Sequence, residues 1–287
     1  MPSIAVVGNC QAPPIADILA RIVPGASVTA FPLTAIKTDI EREKTARCLR
    51  DFDLIFMQPL TQVKHGPLRA TEVQARNTNV VLYPTVIFKG FHPDFFGGAG
   101  GKETRSAAVS YHSCLVAAAF AKNIPVKDVQ MLFNAYNFAR LGYFREYTAG
   151  RAFLLSQAAE LGYELSHDFE DWERSGVFMY TPNHPSLAVL ITVAAAAGRK
   201  AGLPVERTAA DGMQDKLGRL LRLPVYPAIA KRLRISSGSD FMIWRPKLAP
   251  RTFDLKDYIA ETYALYASVP KSFFEQKAIQ RAGAILN

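Results

Sequence analysis

Cysteine is scarce in this chain of 287 residues. There are three, Cys10, Cys48 and Cys114, an odd number with no C-x-x-C pair. A disulfide framework is therefore not expected, and the usage suits a reducing cytoplasm. No spacing of cysteine, histidine or carboxylate side chains reads as a metal site. Long apolar runs are also missing. The longest, LAVLITVAAAAG from Leu187, falls well short of the roughly 20 residues that a membrane span needs. The opening MPSIAVVGN has neither a basic lead-in nor a small-residue cleavage site, so no signal peptide is read. Helix-turn-helix, zinc-finger and RNA-binding consensus patterns are absent, which removes nucleic acid from the expected partners. No internal repeat or low-complexity tract appears. A soluble, cytoplasmic protein is expected.

About half of the residues, 49%, are hydrophobic, enough for one sizeable core. The formal charge of +9 favours anionic ligands. The first hundred residues alternate strand-length apolar runs (Ser3–Gly8, Ser27–Phe31, Asp53–Met57, Asn79–Tyr83) with helical stretches (Pro14–Arg21, Asp39–Arg50, Leu68–Arg76). That alternation predicts an α/β fold: a small N-terminal parallel, Rossmann-like sheet flanked by helices. Residues 1–100 form this region. Residues 101–287 read as a mainly helical portion packed on it, with helices over Ser106–Lys122, Pro125–Asn134, Arg151–Leu161, Pro185–Ala201, Glu206–Leu223 and Leu255–Ala267. Ligands of parallel sheets sit at the carboxyl ends of the strands, which directs attention to Gly8-Asn9-Cys10-Gln11, Gln58-Pro59 and Pro84-Thr85.

Cys10 stands where the first strand turns into a helix. Helix N-termini lower a cysteine's pKa and favour the nucleophilic thiolate. Pro13 and Pro14 at the start of that helix remove N–H donors, and neither G-x-G-x-x-G nor a Walker pattern is present. The turn thus suits presentation of one side chain better than a diphosphate cradle; a small buried cysteine at a strand end is the competing reading. A cysteine nucleophile wants a base. His184, in YTPNHPSLAVL, precedes Pro185 and is expected at the N-cap of an apolar helix, whose positive end would keep the imidazole neutral. Asn183 is placed to orient the ring, as in Cys-His-Asn sites; simple helix capping is the alternative. Asn9 flanks the cysteine, and the Gln11 N–H with the Gln58 amide is placed to hold an oxyanion. His92 and Asp94, in KGFHPD, suit substrate binding or a proline turn. His112 and Ser113, expected on an apolar helix, suit a binding role or a satisfied core position. Basic residues from Lys216 to Arg234 leave weak association with an anionic membrane surface open; a homo-oligomer is also left open.

GNCQ (Gly8–Gln11), FKGFHPD (Phe88–Asp94), YHS (Tyr111–Ser113), LGY (Leu141–Tyr143) and NHP (Asn183–Pro185) occur in the order found in the WcbI-type polysaccharide biosynthesis proteins of bacterial capsule loci. The chain resembles that family. The resemblance implies a coenzyme A-dependent acetyltransferase, an acyl-CoA co-substrate and a sugar or polysaccharide precursor as acceptor. It adds Tyr111 to the binding residues and Arg105 or Arg145 as partners for the cofactor's phosphates. A more distant likeness to the SGNH (GDSL) hydrolases sets Cys10 where their serine stands and His184-Pro185 at their late histidine motif. Asn183 replaces their acidic residue, and Asp168 and Asp171 lie too far upstream to match. An esterase or thioesterase with the same residues, or a non-catalytic coenzyme A- or sugar-binding protein, are the alternatives.

Overall fold

The computed structural model describes residues 1–97, 106–236, 240–244 and 249–286. The chain opens with β1 (Ser3–Gly8), α1 (Ala12–Ile22), β2 (Ser27–Pro32), α2 (Asp39–Cys48), β3 (Leu54–Met57), α3 (Ala70–Arg76) and β4 (Val80–Leu82). The four strands pair in parallel in the order β2-β1-β3-β4, as the alternation predicts. Successive strand side chains point to opposite faces, and both faces of β1 are dry: Ile4, Ala5, Val6 and Val7 are fully buried. Ala5, Val7, Ile55 and Met57 join Ala46 from α2, Leu49 just after it and Val73 from α3 in one apolar cluster. On the other side α1 buries Ile15, Ile18, Leu19 and Ile22 and packs against the helix Leu187–Lys200. The apolar run from Leu187 is thus a core helix, and no helix among the described residues is long and apolar enough to cross a membrane.

Two compact units divide the chain. The first comprises Met1–Val86, Leu154–Phe178 and His184–Leu217; the second comprises Ile87–Phe153, Met179–Asn183 and Gly218–Asn287. A single cut near residue 100 does not describe this, because the first unit adds segments from far along the chain, among them the helix Leu187–Lys200 packed against α1. In that unit the Tyr163 hydroxyl donates to the Leu82 carbonyl at 2.7 Å, tying a late loop to β4.

The second unit departs from a plain helical array. β5 (Phe95–Gly97) pairs antiparallel with β6 (Tyr111–Ser113), so the helix expected over Ser106–Lys122 begins only at α4 (Cys114–Ala121). The start is fixed by capping. Ser113 Oγ accepts from the Val116 N–H at 3.1 Å and Asp94 Oδ1 from the Leu115 N–H at 3.1 Å, which satisfies donors that the first turn leaves open. A small antiparallel sheet joins Leu221–Arg222, Phe241–Ile243 and Arg251–Phe253. The helix expected over Glu206–Leu223 is replaced by short turns at Arg207–Ala210 and Leu217–Arg219 followed by the first of these strands. Gly212 between them has φ +76, a left-handed value that interrupts an α-helix.

Candidate active site

The connection from β1 leads outward to β2, and the next returns across β1 to β3. The carboxyl ends of β1 and β3 therefore flank the topological switch point, where open parallel sheets bind ligands. GNCQ leaves β1 there and Gln58 follows β3.

Three of the four GNCQ residues build the turn. A Cβ on Gly8 would lie 2.7 Å from both Gln58 Oε1 and the Tyr83 hydroxyl, so glycine is required by close approach. Asn9 Oδ1 accepts from the Gln11 N–H at 2.9 Å, an Asx turn leading into α1, while the Asn9 N–H donates to Gln58 Oε1 at 2.8 Å. The Gln11 side chain, 1% exposed, reads both sides of one peptide group pair: its Nε2 donates to the Val86 carbonyl at 2.7 Å and its Oε1 accepts from the Val86 N–H at 3.2 Å. Gln58 Nε2 adds long contacts of 3.3 Å to Asn9 Oδ1 and 3.4 Å to Gln11 Oε1. This network holds Cys10 at the switch point. It also engages the two donors expected to stabilise an oxyanion, the Gln11 N–H and the Gln58 amide, with partners inside the protein.

Burial rather than the helix end dominates the electrostatics. The Cys10 thiol is pushed up to about 11 by burial, opposed by a backbone hydrogen bond, the reverse of the lowering expected at a helix N-terminus. Tyr83 is fully buried; burial first, and the nearby Cys10 second, push its phenol well up. Tyr83 was not among the expected site residues, although its place at the end of the fourth apolar run could have marked it by the rule that marked Gln58. His184 belongs to the same unit as Cys10. Its imidazole is lowered to about 4 by burial and is neutral at pH 7, as expected but for a different reason. It does not cap the following helix: His184 and Pro185 are extended, and Ser186 occupies the N-cap position. The Asp215 carboxylate accepts from the Leu187 N–H at 2.9 Å and satisfies that helix end instead.

The remaining expected site residues that the structure describes lie in the second unit. Asp94 has no exposed surface. It accepts from the Tyr143 hydroxyl at 2.7 Å, the Tyr226 hydroxyl at 3.3 Å, the Leu115 N–H and the Ser113 side chain. Burial raises its carboxyl above the ordinary range, and these hydrogen bonds oppose the rise. FHPD, YHS and LGY thus meet at one fully buried carboxylate, which ties the three motifs together. Gly142 of LGY caps the preceding helix, Ala135–Leu141, with φ 78, the left-handed conformation that glycine adopts without strain. His112 is buried among Tyr266, Phe273 and Phe96, with Nδ1 2.8 Å from the Tyr266 hydroxyl; it is a core histidine on a strand. His92, 1% exposed, donates through Nε2 to the Leu223 carbonyl at 3.1 Å, and burial lowers it to about 4. Tyr111 donates to Asn183 Oδ1 and receives a hydrogen bond from Thr181 Oγ1 at 3.0 Å. The Asn183 carbonyl is thereby engaged with Tyr111. Arg105 lies outside the described residues. Among the described residues no group of three or more His, Cys, Asp or Glu is placed to hold a metal ion.

The ordered motifs now have a firmer counterpart. A family model described as "Polysaccharide biosynthesis enzyme WcbI" matches residues 3–206, well over half of the chain. The chain belongs to the WcbI family. All five motifs lie within the matched residues, and the resemblance read from them holds. A search of curated proteins finds no match. A solved WcbI structure, described as a novel polysaccharide biosynthesis enzyme in its native form without a disulfide bond between coenzyme A and one of its cysteines, aligns with a TM-score of 0.67. The alignment covers 98% of this chain and 99% of that one at 13% sequence identity. The shared WcbI fold therefore extends through the basic segment after residue 206, which carries no recognisable motif.

Proposed function

We propose that this WcbI-family enzyme is a coenzyme A-dependent O-acyltransferase acting on a sugar or polysaccharide precursor, with Cys10 and His184 at its centre. The observation that carries the reading is the GNCQ turn: Gly8, Asn9 and Gln11 are spent on holding Cys10 at the sheet's switch point. The solved WcbI protein, whose description pairs coenzyme A with a cysteine, supports placing the thioester beside Cys10. The net charge of +9 suits a cofactor bearing several phosphates.

Two routes differ in what Cys10 does. In one, Cys10 exchanges its proton for the acyl group, and the thioester so formed is attacked by a sugar hydroxyl. A thiol with pKa about 11 is ionised in only about one molecule in 10⁴ at pH 7, so this route depends on a base in the first step. In the other, the sugar hydroxyl attacks the coenzyme A thioester directly. His184 takes the hydroxyl proton, the C–S bond breaks, and the departing coenzyme A thiolate recovers that proton. The raised Cys10 thiol favours this second route, with Cys10 lining the thioester pocket.

Coenzyme A release from acetyl-coenzyme A, followed with and without sugar acceptors, tests the proposal. A transferase releases thiol in step with acceptor acylation; rapid multiple turnover without acceptor identifies a thioesterase instead. His184→Ala is expected to lower kcat/KM by about 10²–10⁴. Cys10→Ala separates the routes: retained turnover supports direct transfer, whereas loss of turnover with an acyl adduct on the parent protein supports the covalent one. Full activity in both variants refutes the site.

A further inference from the structure

We propose that a pocket of the second unit, bounded by Lys89, Glu146 and Arg281, binds a small monocarboxylate with a short apolar body. The inference does not rest on the acyltransfer reading, since none of its residues belongs to the GNCQ turn or to His184. The pocket measures about 120 Å³, the liquid volume of roughly four waters, which suits an acid of a few heavy atoms.

Its lining is amphipathic. Phe95, Phe96 and Leu141 supply apolar wall, and Cys114 and Tyr143 join the three charged residues. Arg281 Nη2 donates to the Leu141 carbonyl at 2.8 Å, which fixes the plane of the guanidinium while the rest of its donor fork stays available. Lys89 and Glu146 form no ion pair or side-chain hydrogen bond among the described residues. Both cations act on the Cys114 thiol, yet burial, the larger effect, keeps that thiol protonated, and burial likewise keeps the Tyr143 phenol neutral. The lining side chains carry two positive charges and one negative, and the Asp94 carboxylate behind Tyr143 is held by its own hydrogen-bond donors, which leaves the Lys89 and Arg281 side of the pocket suited to a monoanion. The Arg281 fork matches a planar carboxylate, whereas a phosphate dianion would face the Glu146 carboxylate. The apolar wall sets the preference among carboxylates: two added methylenes should make butyrate bind about tenfold tighter than acetate.

The test uses the full chain with sodium butyrate, sodium acetate and inorganic phosphate as probes, read by calorimetry and by ligand-observed NMR. Butyrate is expected to bind, acetate more weakly, and phosphate least. Lys89→Met, at an exposed position, should weaken butyrate by about tenfold. Glu146→Gln should tighten butyrate and admit phosphate, a gain that no folding defect imitates. The proposal is overturned if butyrate produces no signal, if its affinity is the same in both variants, or if phosphate outcompetes it in the parent protein.

Discussion

Replacing Gln11 by alanine is expected to release the chain segment that follows β4. The side chain is 1% exposed and supplies the partners of both the Val86 N–H and the Val86 carbonyl, at 3.2 and 2.7 Å. Leaving a buried backbone donor or acceptor unpaired costs about 1–3 kcal/mol each, so two such groups set a range of about 2–6 kcal/mol. Water entering the vacated space restores part of this, and a loss of about 3 kcal/mol is expected. Gln11→Met separates hydrogen bonding from packing, because it keeps most of the volume and none of the polar atoms. If the hydrogen bonds dominate, methionine costs nearly as much as alanine; if the cavity dominates, methionine stays close to the parent. Native-state hydrogen exchange at the Val86 amide is the direct assay, supported by urea unfolding. Protection at Val86 should fall by about two orders of magnitude, the equivalent of about 3 kcal/mol, in both variants. Unchanged protection at Val86, or a stability loss below about 0.5 kcal/mol, refutes the assigned role of Gln11 in fixing the turn that holds Cys10.

Gly8→Ala should destabilise by about 1–3 kcal/mol through overpacking, since the new methyl meets Gln58 and Tyr83 at 2.7 Å; a neutral result by urea unfolding would show that Gln58 yields without cost. Stability should also fall on mild acidification. His92 and His184 are lowered from 6.5 to about 4 by burial, so the unfolded chain binds more protons than the folded one between these values. Their contribution is complete above pH 6.5 and is lost as pH falls towards 4, by about 2 kcal/mol each at pH 5. Urea midpoints at pH 7 and pH 5 measure this, and equal midpoints contradict neutral burial of the two rings.

The difference between legible and illegible parts follows from the range of the interactions. The sheet strands were readable because each is a continuous apolar run between turn residues, and β1 to β4 fall within a residue or two of their expected positions. Tyr111–Ser113 was not, since its extended form is set by pairing with Phe95–Gly97, and the small alanine-rich stretch after it favours helix by local propensity alone. His184 was legible as a residue but not as a position: Pro185 suggested a helix start, while Asp215, 28 residues on from Leu187, meets that helix's first N–H.

The sequence by itself determined the α/β alternation, the motif order that marks the WcbI family, and the importance of the turn at Gly8–Gln11. Those features are local, written in apolar runs, turn residues and short spacings. Only the tertiary structure decided what each motif residue does. Burial raises Cys10 and lowers His184, Gln11 is committed to Val86, and FHPD, YHS and LGY converge on the buried Asp94. A pKa depends on what surrounds a group and a hydrogen bond on what lies opposite it, and both come from residues tens of positions away.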